Sequence, residues 1–313
     1  MSWIVQLLVI LALTAVASAW ARAARTDRTL RVLLFGLLWF SGLGSLLIGL
    51  GLILGGQQRA PGVADGLGPV LVTAGASVVI PLISPVRRML ARLLPFDPHS
   101  IPDLVGLSVV LAAIGVTLAT LLWLSESLRV ATVTVPQLIG QSATLLGMAL
   151  LAVGLGIERD VRSTARRLGL TRPTATVLLL SFGFTGLLFF VAGLAGVATQ
   201  WFQPELAREI EDRLIQITED VSSVGGAVAV GIAVGAGEEL LFRGAIQPRF
   251  GIILTSVLFT LVHVQYGFSL ITAGVFAMSL VLGLERRFLG TTACILTHAT
   301  YDIVVLLIQN LAQ

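Results

Sequence analysis

Residues 224–246 read VGGAVAVGIAVGAGEELLFRGAI, an apolar run that carries two adjacent glutamates and an arginine near its end. The run is long enough to cross a bilayer, because a transmembrane α-helix needs about 20 predominantly apolar residues. A charge at the centre of such a helix costs at least about 2.5 to 3.5 kcal/mol. Glu238, Glu239 and Arg243 are therefore the first place to look for chemistry.

The composition of the whole chain is that of a multi-spanning membrane protein. Of its 313 residues, 56% are hydrophobic and 12% are charged, whereas soluble domains carry about 25% charged residues. All 20 basic residues are arginine, which we interpret as a genomic composition bias that points to a bacterial source. The net charge of +3, with arginines in short loops, gives no support for nucleic-acid binding. Cys294 is the only cysteine, which excludes an internal disulfide.

Hydropathy divides the chain into ten apolar segments. Two of them are short, at 67–84 and 251–266, and either could be re-entrant rather than a full span. We predict an all-α, polytopic helical bundle with about eight to ten transmembrane helices. The ten segments are 3–20, 32–55, 67–84, 104–124, 138–157, 174–198, 224–246, 251–266, 268–284 and 291–311.

The loop arginines predict the orientation in the membrane. Alternate loops hold fifteen arginines against four, and the richer loops are assigned to the cytoplasm. Residues 17–19 resemble a signal-peptide cleavage site, but positive residues follow the first segment instead of preceding it. We therefore expect the first helix to be retained, with both termini on the outer side of an integral plasma-membrane protein.

Residues 199–223 interrupt the apolar pattern with an amphipathic one. Apolar side chains recur there at helical spacing, which predicts a helix along the outer membrane surface. It could be a simple connector, or it could guide substrate or act as a gate. The predicted organisation is thus 1–198 with about six helices, 199–223 as the interfacial helix, and 224–313 as the catalytic helices. The apolar positions are Phe202, Leu206, Ile210, Leu214 and Ile217.

Helical spacing separates the two glutamates. Residues four apart share a helix face, so Glu239 can pair with Arg243. Glu238 points about 100° away and lacks that partner. An unpaired carboxylate in a poorly solvated site is suited to act as a general base near neutral pH. We therefore assign the chemistry to Glu238 and a supporting role to the other two residues.

Two later segments carry histidines at comparable depth. The spacing of four relates Phe259 to His263, and His298 to Asp302, whose carboxylate can orient the imidazole. Counted from the cytoplasmic end of each segment, Glu238, His263, His298 and Asp302 lie roughly 10 to 18 Å deep. They could converge on one cavity. Each also has a structural interpretation, as a core histidine, a clamp or a packing contact.

These residues resemble the motifs of the CPBP intramembrane proteases, relatives of the Rce1-type CAAX prenyl endopeptidase and of bacteriocin-immunity proteins. The resemblance covers residues 224–310 and comprises the motifs Glu-Glu-x-x-x-Arg, Phe-x-x-x-His and His-x-x-x-Asn/Asp in order. Two departures are the absence of a proline before the glutamate pair and an aspartate at the last position. The matching residues are Glu238, Glu239, Arg243, Phe259, His263, His298 and Asp302.

The resemblance implies peptide-bond hydrolysis at the membrane. Glu238 and His263 would activate water, and His298 with Asp302 would stabilise the oxyanion. An ionised aspartate cannot donate a hydrogen bond, so Asp302 is protonated, binds a metal or orients His298. Zn²⁺ could be held by Glu238, His263, His298 and Asp302, but His-Glu-x-x-His is absent and no obligatory cofactor is predicted. The partners would be the bilayer and a peptide or protein tail, CAAX-like or lipidated, and not nucleic acid.

Two other functions use similar residues. A proton-coupled transporter would also place Glu, His and Asp within the membrane, although transporters often show inverted repeats and the ionisable residues here lie only in the last four segments. A catalytically silent immunity or scaffold protein would keep the motifs for structure alone.

Overall fold

The computed structural model describes residues 2–56, 63–123, 134–218, 221, 223–263 and 266–312. Apart from one isolated bridge between Leu155 and Arg159, the regular structure in these ranges is helical. The predicted all-α class is confirmed. The helices are α1 (Trp3–Ala23), α2 (Arg28–Gly56), α3 (Val63–Leu82), α4 (Ser84–Leu90), α5 (Ile101–Trp123), α6 (Val135–Val153), α7 (Val161–Leu168), α8 (Ala175–Phe202), α9 (Pro204–Thr218), α10 (Val224–Glu239), a π-helical segment (Leu240–Ile246), α11 (Gln247–Val262), α12 (Leu270–Leu289) and α13 (Thr291–Ala312).

Among the described residues, seven helices are long and apolar enough to cross a membrane, or eight if a bent pair forms one span. The bent pair consists of α3 and α4, whose axes differ by 87°. Its break falls in the short segment 67–84, for which a partial or re-entrant span was one of the expectations. The protein is therefore a multi-pass helical bundle, with seven or eight candidate spans among the described residues where about eight to ten were expected.

The break predicted between the segments 224–246 and 251–266 is present. Val224–Val262 is assigned as one apolar helical run, but two helices meet within it at Gly251, whose φ of 80° and ψ of 171° are not helical. Glycine adopts positive φ without the steric penalty that a side chain would bring. Gly251 therefore marks the end of one helix and the start of the next.

The amphipathic helix predicted in 199–223 is present as α9. Residues 199–202 belong instead to the end of α8. Ile210, one of the predicted apolar positions, is buried. The side chains of Arg213 and Ile217, and the loop arginines Arg59 and Arg129, lie outside the described residues. The division into 1–198, 199–223 and 224–313 stays a prediction.

The chain forms two compact units. One comprises Met1–Val16, Val130–Pro248 and Ile252–Gln313, and the other Ala17–Arg129 and Arg249–Gly251. In the first, α10 packs closely against α6 and α13, because glycines stand at the contacts. A Cβ on Gly237 would lie 2.5 Å from the Ser142 carbonyl oxygen of α6, and one on Gly235 would lie 2.7 Å from the Ala299 nitrogen of α13. This small-residue packing fixes the position of the glutamate pair at the end of α10.

Candidate active site

The two glutamates lie where the α-helix changes its winding. Glu238 and Glu239 end α10, and Leu240–Ile246 continues as a π-helix. From the sequence, α-helical geometry was expected throughout this run. π-helical turns are rare and occur frequently at functional sites. Arg243 lies within this segment, so the first motif spans the change in winding.

Glu239 and Arg243 form the predicted ion pair. Both side chains are completely buried, and Arg243 Nε lies 3.1 Å from Glu239 Oε2, although the two atoms are not aligned as a hydrogen bond. Arg243 Nη2 donates to Ser279 Oγ at 3.0 Å. Its guanidinium also lies 5.0 Å from the ring centroid of Phe259, within the range of a cation–π contact. The buried cation is thus held by a carboxylate, a hydroxyl and an aromatic ring.

The other oxygen of Glu239 makes a contact that helical spacing could not reveal. His298 Nδ1 donates to Glu239 Oε1 at 2.8 Å, joining α13 to α10. This bond places a proton on Nδ1, since a carboxylate can only accept. His298 Nε2 lies 3.5 Å from Asp302 Oδ2. Both ring nitrogens of His298 therefore face carboxylates.

His263 lies just beyond the end of α11, next to Tyr266. Its Nδ1 donates to the Phe259 carbonyl oxygen at 2.7 Å. In the neutral ring this leaves Nε2 with the lone pair, available to accept a proton or a hydrogen bond. The Phe259 ring is 4.6 Å from the His263 ring and 6.1 Å from the His298 ring, centroid to centroid. Phe259 thus contacts His263, lies near His298 and makes a cation–π contact with Arg243.

Glu238 differs from its neighbour in having no ion contact to an arginine in the described part of the chain, whereas Glu239 Oε2 faces Arg243 at 3.1 Å. The side chain is partly exposed, but Oε2 is buried and has no hydrogen-bond partner among the described residues. The carboxylate is close enough to His298 and Asp302 to interact electrostatically with both. An unsatisfied buried oxygen costs about 1 to 3 kcal/mol. Such a group in a native site calls for a functional explanation.

These residues lie within a segment that matches a known family. Residues 220–304 match the model of the family described as type II CAAX prenyl endopeptidase, Rce1-like. Comparison with curated proteins and with solved structures gives no match. The Rce1-like segment contains all three motifs, so the resemblance drawn from them is confirmed, and it supports a peptidase activity in general.

The described residues of the Rce1-like segment are not arranged as a zinc site. Both nitrogens of His298 are directed at carboxylates, and Nδ1 of His263 bonds a carbonyl. Within the described ranges, no three His, Cys, Asp or Glu side chains are placed to hold a metal ion. The zinc site suggested by the sequence stays a prediction.

Sequence reasoning missed two polar residues behind the site. Ser279 accepts the hydrogen bond from Arg243, and nothing in a single serine would have indicated this. Glu285 is completely buried in α12 and accepts from Thr297 Oγ1 at 2.7 Å. Hydropathy ended the predicted apolar segment at residue 284, so Glu285 was expected to lie outside it. The helix continues to Leu289, and that continuation is what buries Glu285.

Proposed function

We propose that this protein is an intramembrane endopeptidase in which Glu238 activates water for attack on a peptide bond. One observation carries the proposal. The two adjacent glutamates have different environments: Glu239 accepts a hydrogen bond from His298 and faces the Arg243 cation at 3.1 Å, whereas the buried Oε2 of Glu238 has no hydrogen bond among the described residues and its carboxylate interacts with His298 and Asp302. A structural role accounts for Glu239 but does not account for Glu238.

The proposed reaction uses Glu238 as base and then as acid. Water bound between Glu238 Oε2 and His263 Nε2 gives a proton to Glu238 as its oxygen attacks the scissile carbonyl carbon. The carbonyl π-bond breaks and forms a tetrahedral oxyanion. When the C–N bond breaks, Glu238 returns the proton to the leaving amine. General acid–base catalysis of this kind contributes about 10²- to 10⁴-fold.

His298 is the proposed partner of the oxyanion. Its Nδ1–H is fixed on Glu239, so the ring orientation is set and Nε2 is directed outward from that contact. A proton on Nε2 would be shared between Asp302 and the developing oxyanion. Of the three roles that the sequence left open for Asp302, orientation of His298 is the one this geometry favours. Arg243 supports the arrangement by balancing the charge of Glu239.

The proposed substrate is a membrane-associated peptide or protein tail. CAAX-like and lipidated tails are the first to test, in keeping with the family's description. The proposed setting is a bacterial plasma membrane with both termini outside. No cofactor is required by the proposed steps, and a zinc-dependent mechanism remains the competing proposal.

The test compares Glu238→Gln with wild type in liposomes, using lipidated and plain peptides. Glu211→Gln on exposed α9 is the matched control, because it makes the same substitution far from the motifs in sequence. We expect cleavage to fall about 10²-fold or more in Glu238→Gln and to persist in the control. Unchanged cleavage in Glu238→Gln would refute the mechanism. Proton flux lost in that variant, with no cleavage by any protein, would indicate a transporter, and the absence of both activities a silent scaffold.

A further inference from the structure

A cavity of about 460 Å³ lies in the unit that contains residues 17–129, and none of the candidate active-site residues lines it. Helices α2 and α3 are antiparallel, since Gly42 approaches Val79 and Gly49 approaches Gly68. The start of α2 and the end of α3 therefore lie at the same end of the bundle. The cavity is formed there by the α1–α2 connection, α4 and the start of α5. Its volume is within the range of small-ligand sites.

Three arginines line this cavity: Arg25 and Arg31 from the α1–α2 connection and the start of α2, and Arg87 from α4. Arg31 is held in place, since its Nε donates to the Ala24 carbonyl at 2.9 Å and its Nη2 to the Arg25 carbonyl at 2.6 Å. Arg87 is partly buried, and its Nη2 donates to Ser84 Oγ at 3.4 Å. Its Nε is buried and has no hydrogen-bond partner among the described residues, so this guanidinium keeps a donor for an anion.

The positive charge of the lining comes from the arginines. The start of α5 adds little to it, because Ser100 accepts the backbone N–H groups of Asp103 and Leu104 and because Asp103 lies in the first turn. Asp97 is the one acidic residue among the lining residues. Its Oδ1 already accepts the backbone N–H of His99 at 2.8 Å. Three guanidinium groups thus outweigh one carboxylate.

The cavity also has an apolar wall made by Phe35, Ile101 and Leu104. We propose that this cavity binds a phosphate group, either as the headgroup of an anionic phospholipid or as free phosphate. One guanidinium group can donate two parallel hydrogen bonds to two oxygens of a phosphate group. The apolar wall would accommodate the glycerol and the first methylenes of a lipid. The connections around the cavity are those rich in arginine, the side that faces anionic headgroups in a positive-inside orientation.

The experiment titrates the purified full-length protein in a non-ionic detergent by isothermal calorimetry at fixed ionic strength. The probes are dioctanoyl phosphatidylglycerol, dioctanoyl phosphatidylcholine and inorganic phosphate. Arg87→Gln is expected to weaken binding of phosphatidylglycerol about tenfold, the loss expected for one charge-assisted contact. Arg88→Gln is the matched control, because Arg88 is next to Arg87 in the sequence but is exposed and does not line the cavity. It is expected to change binding less than about twofold.

Arg25→Gln is the second variant, because an exposed loop side chain can be replaced without loss of folding. It should also weaken binding if the cavity is the site. Phosphate that binds and displaces the lipid, with the same dependence on both arginines, supports the site with free phosphate as a ligand. Binding of phosphatidylglycerol alone supports a lipid headgroup. Equal affinity for phosphatidylcholine, no binding of any probe, or unchanged affinity in both variants would overturn the proposal.

Discussion

The same substitution should change stability at one of the adjacent glutamates and cleavage at the other. Glu239→Gln removes the negative charge that Arg243 faces at 3.1 Å and that His298 Nδ1 contacts at 2.8 Å. Glu238→Gln removes a charge whose buried oxygen has no hydrogen-bond partner among the described residues. The side-chain shape is nearly unchanged in both variants. The comparison therefore isolates the environments of two neighbouring carboxylates.

The magnitude follows from the burial of the pair. Arg243 and Glu239 are completely inaccessible to solvent, and removal of one partner of a buried ion pair costs about 3 to 5 kcal/mol. We expect Glu239→Gln to lower the free energy of unfolding by that amount. For Glu238→Gln we expect a change of no more than about 1 kcal/mol, because the buried Oε2 that it replaces makes no hydrogen bond among the described residues that could be lost. Its effect should appear in cleavage instead.

The assay is reversible unfolding in mixed micelles, followed by the fluorescence of the five tryptophans and by circular dichroism. Glu239→Gln combined with Arg243→Met should recover part of the loss, since a buried pair replaced by uncharged groups is often nearly neutral. Cleavage is measured on the same preparations. The reasoning fails if Glu239→Gln is as stable as Glu238→Gln, or if the losses of Glu239→Gln and Arg243→Met simply add.

Three further outcomes are expected. Gly237→Ala would place a Cβ 2.5 Å from the Ser142 carbonyl oxygen and lower stability by about 1 to 3 kcal/mol in thermal unfolding. Gly225→Ala, which meets nothing within 4 Å, should be neutral or stabilising. Asp302→Asn should reduce the cleavage rate less than about tenfold, because it retains a polar partner for His298, whereas Asp302→Leu should cost about 10²-fold; equal losses would contradict an orienting role. Incubation with a chelator should leave the initial rate unchanged, and a loss restored by Zn²⁺ would contradict the metal-free proposal.

The fold class could be predicted because the bilayer restricts what a chain can do. Within hydrocarbon every backbone polar group must be satisfied internally, so long apolar runs predict helices with little ambiguity. The same cost leaves few ionisable residues in such runs. Those that remain stand out, as Glu238, His263 and His298 do here. Contacts at helical spacing, such as Glu239 with Arg243, could also be predicted from the sequence.

Contacts between helices could not be predicted in this way. The bond from His298 to Glu239 joins residues 59 positions apart, and it depends on how far α13 rotates and slides against α10. The burial of Glu285 depended on where α12 ends, which hydropathy placed too early. The bend at Gly251 depended on a local φ that sequence suggests but does not fix.

The sequence by itself thus determined the helical membrane bundle, the family of its last third and the identity of the charged residues within it. Only the tertiary structure decided which carboxylate is engaged and which is available. The reason is that periodicity reports positions along one helix, whereas partners across helices are set by close packing at Gly231, Gly235 and Gly237 and by the π-helical turn that follows them. Those two features place Glu239 against His298 and Arg243 and leave Glu238 Oε2 without a hydrogen bond among the described residues.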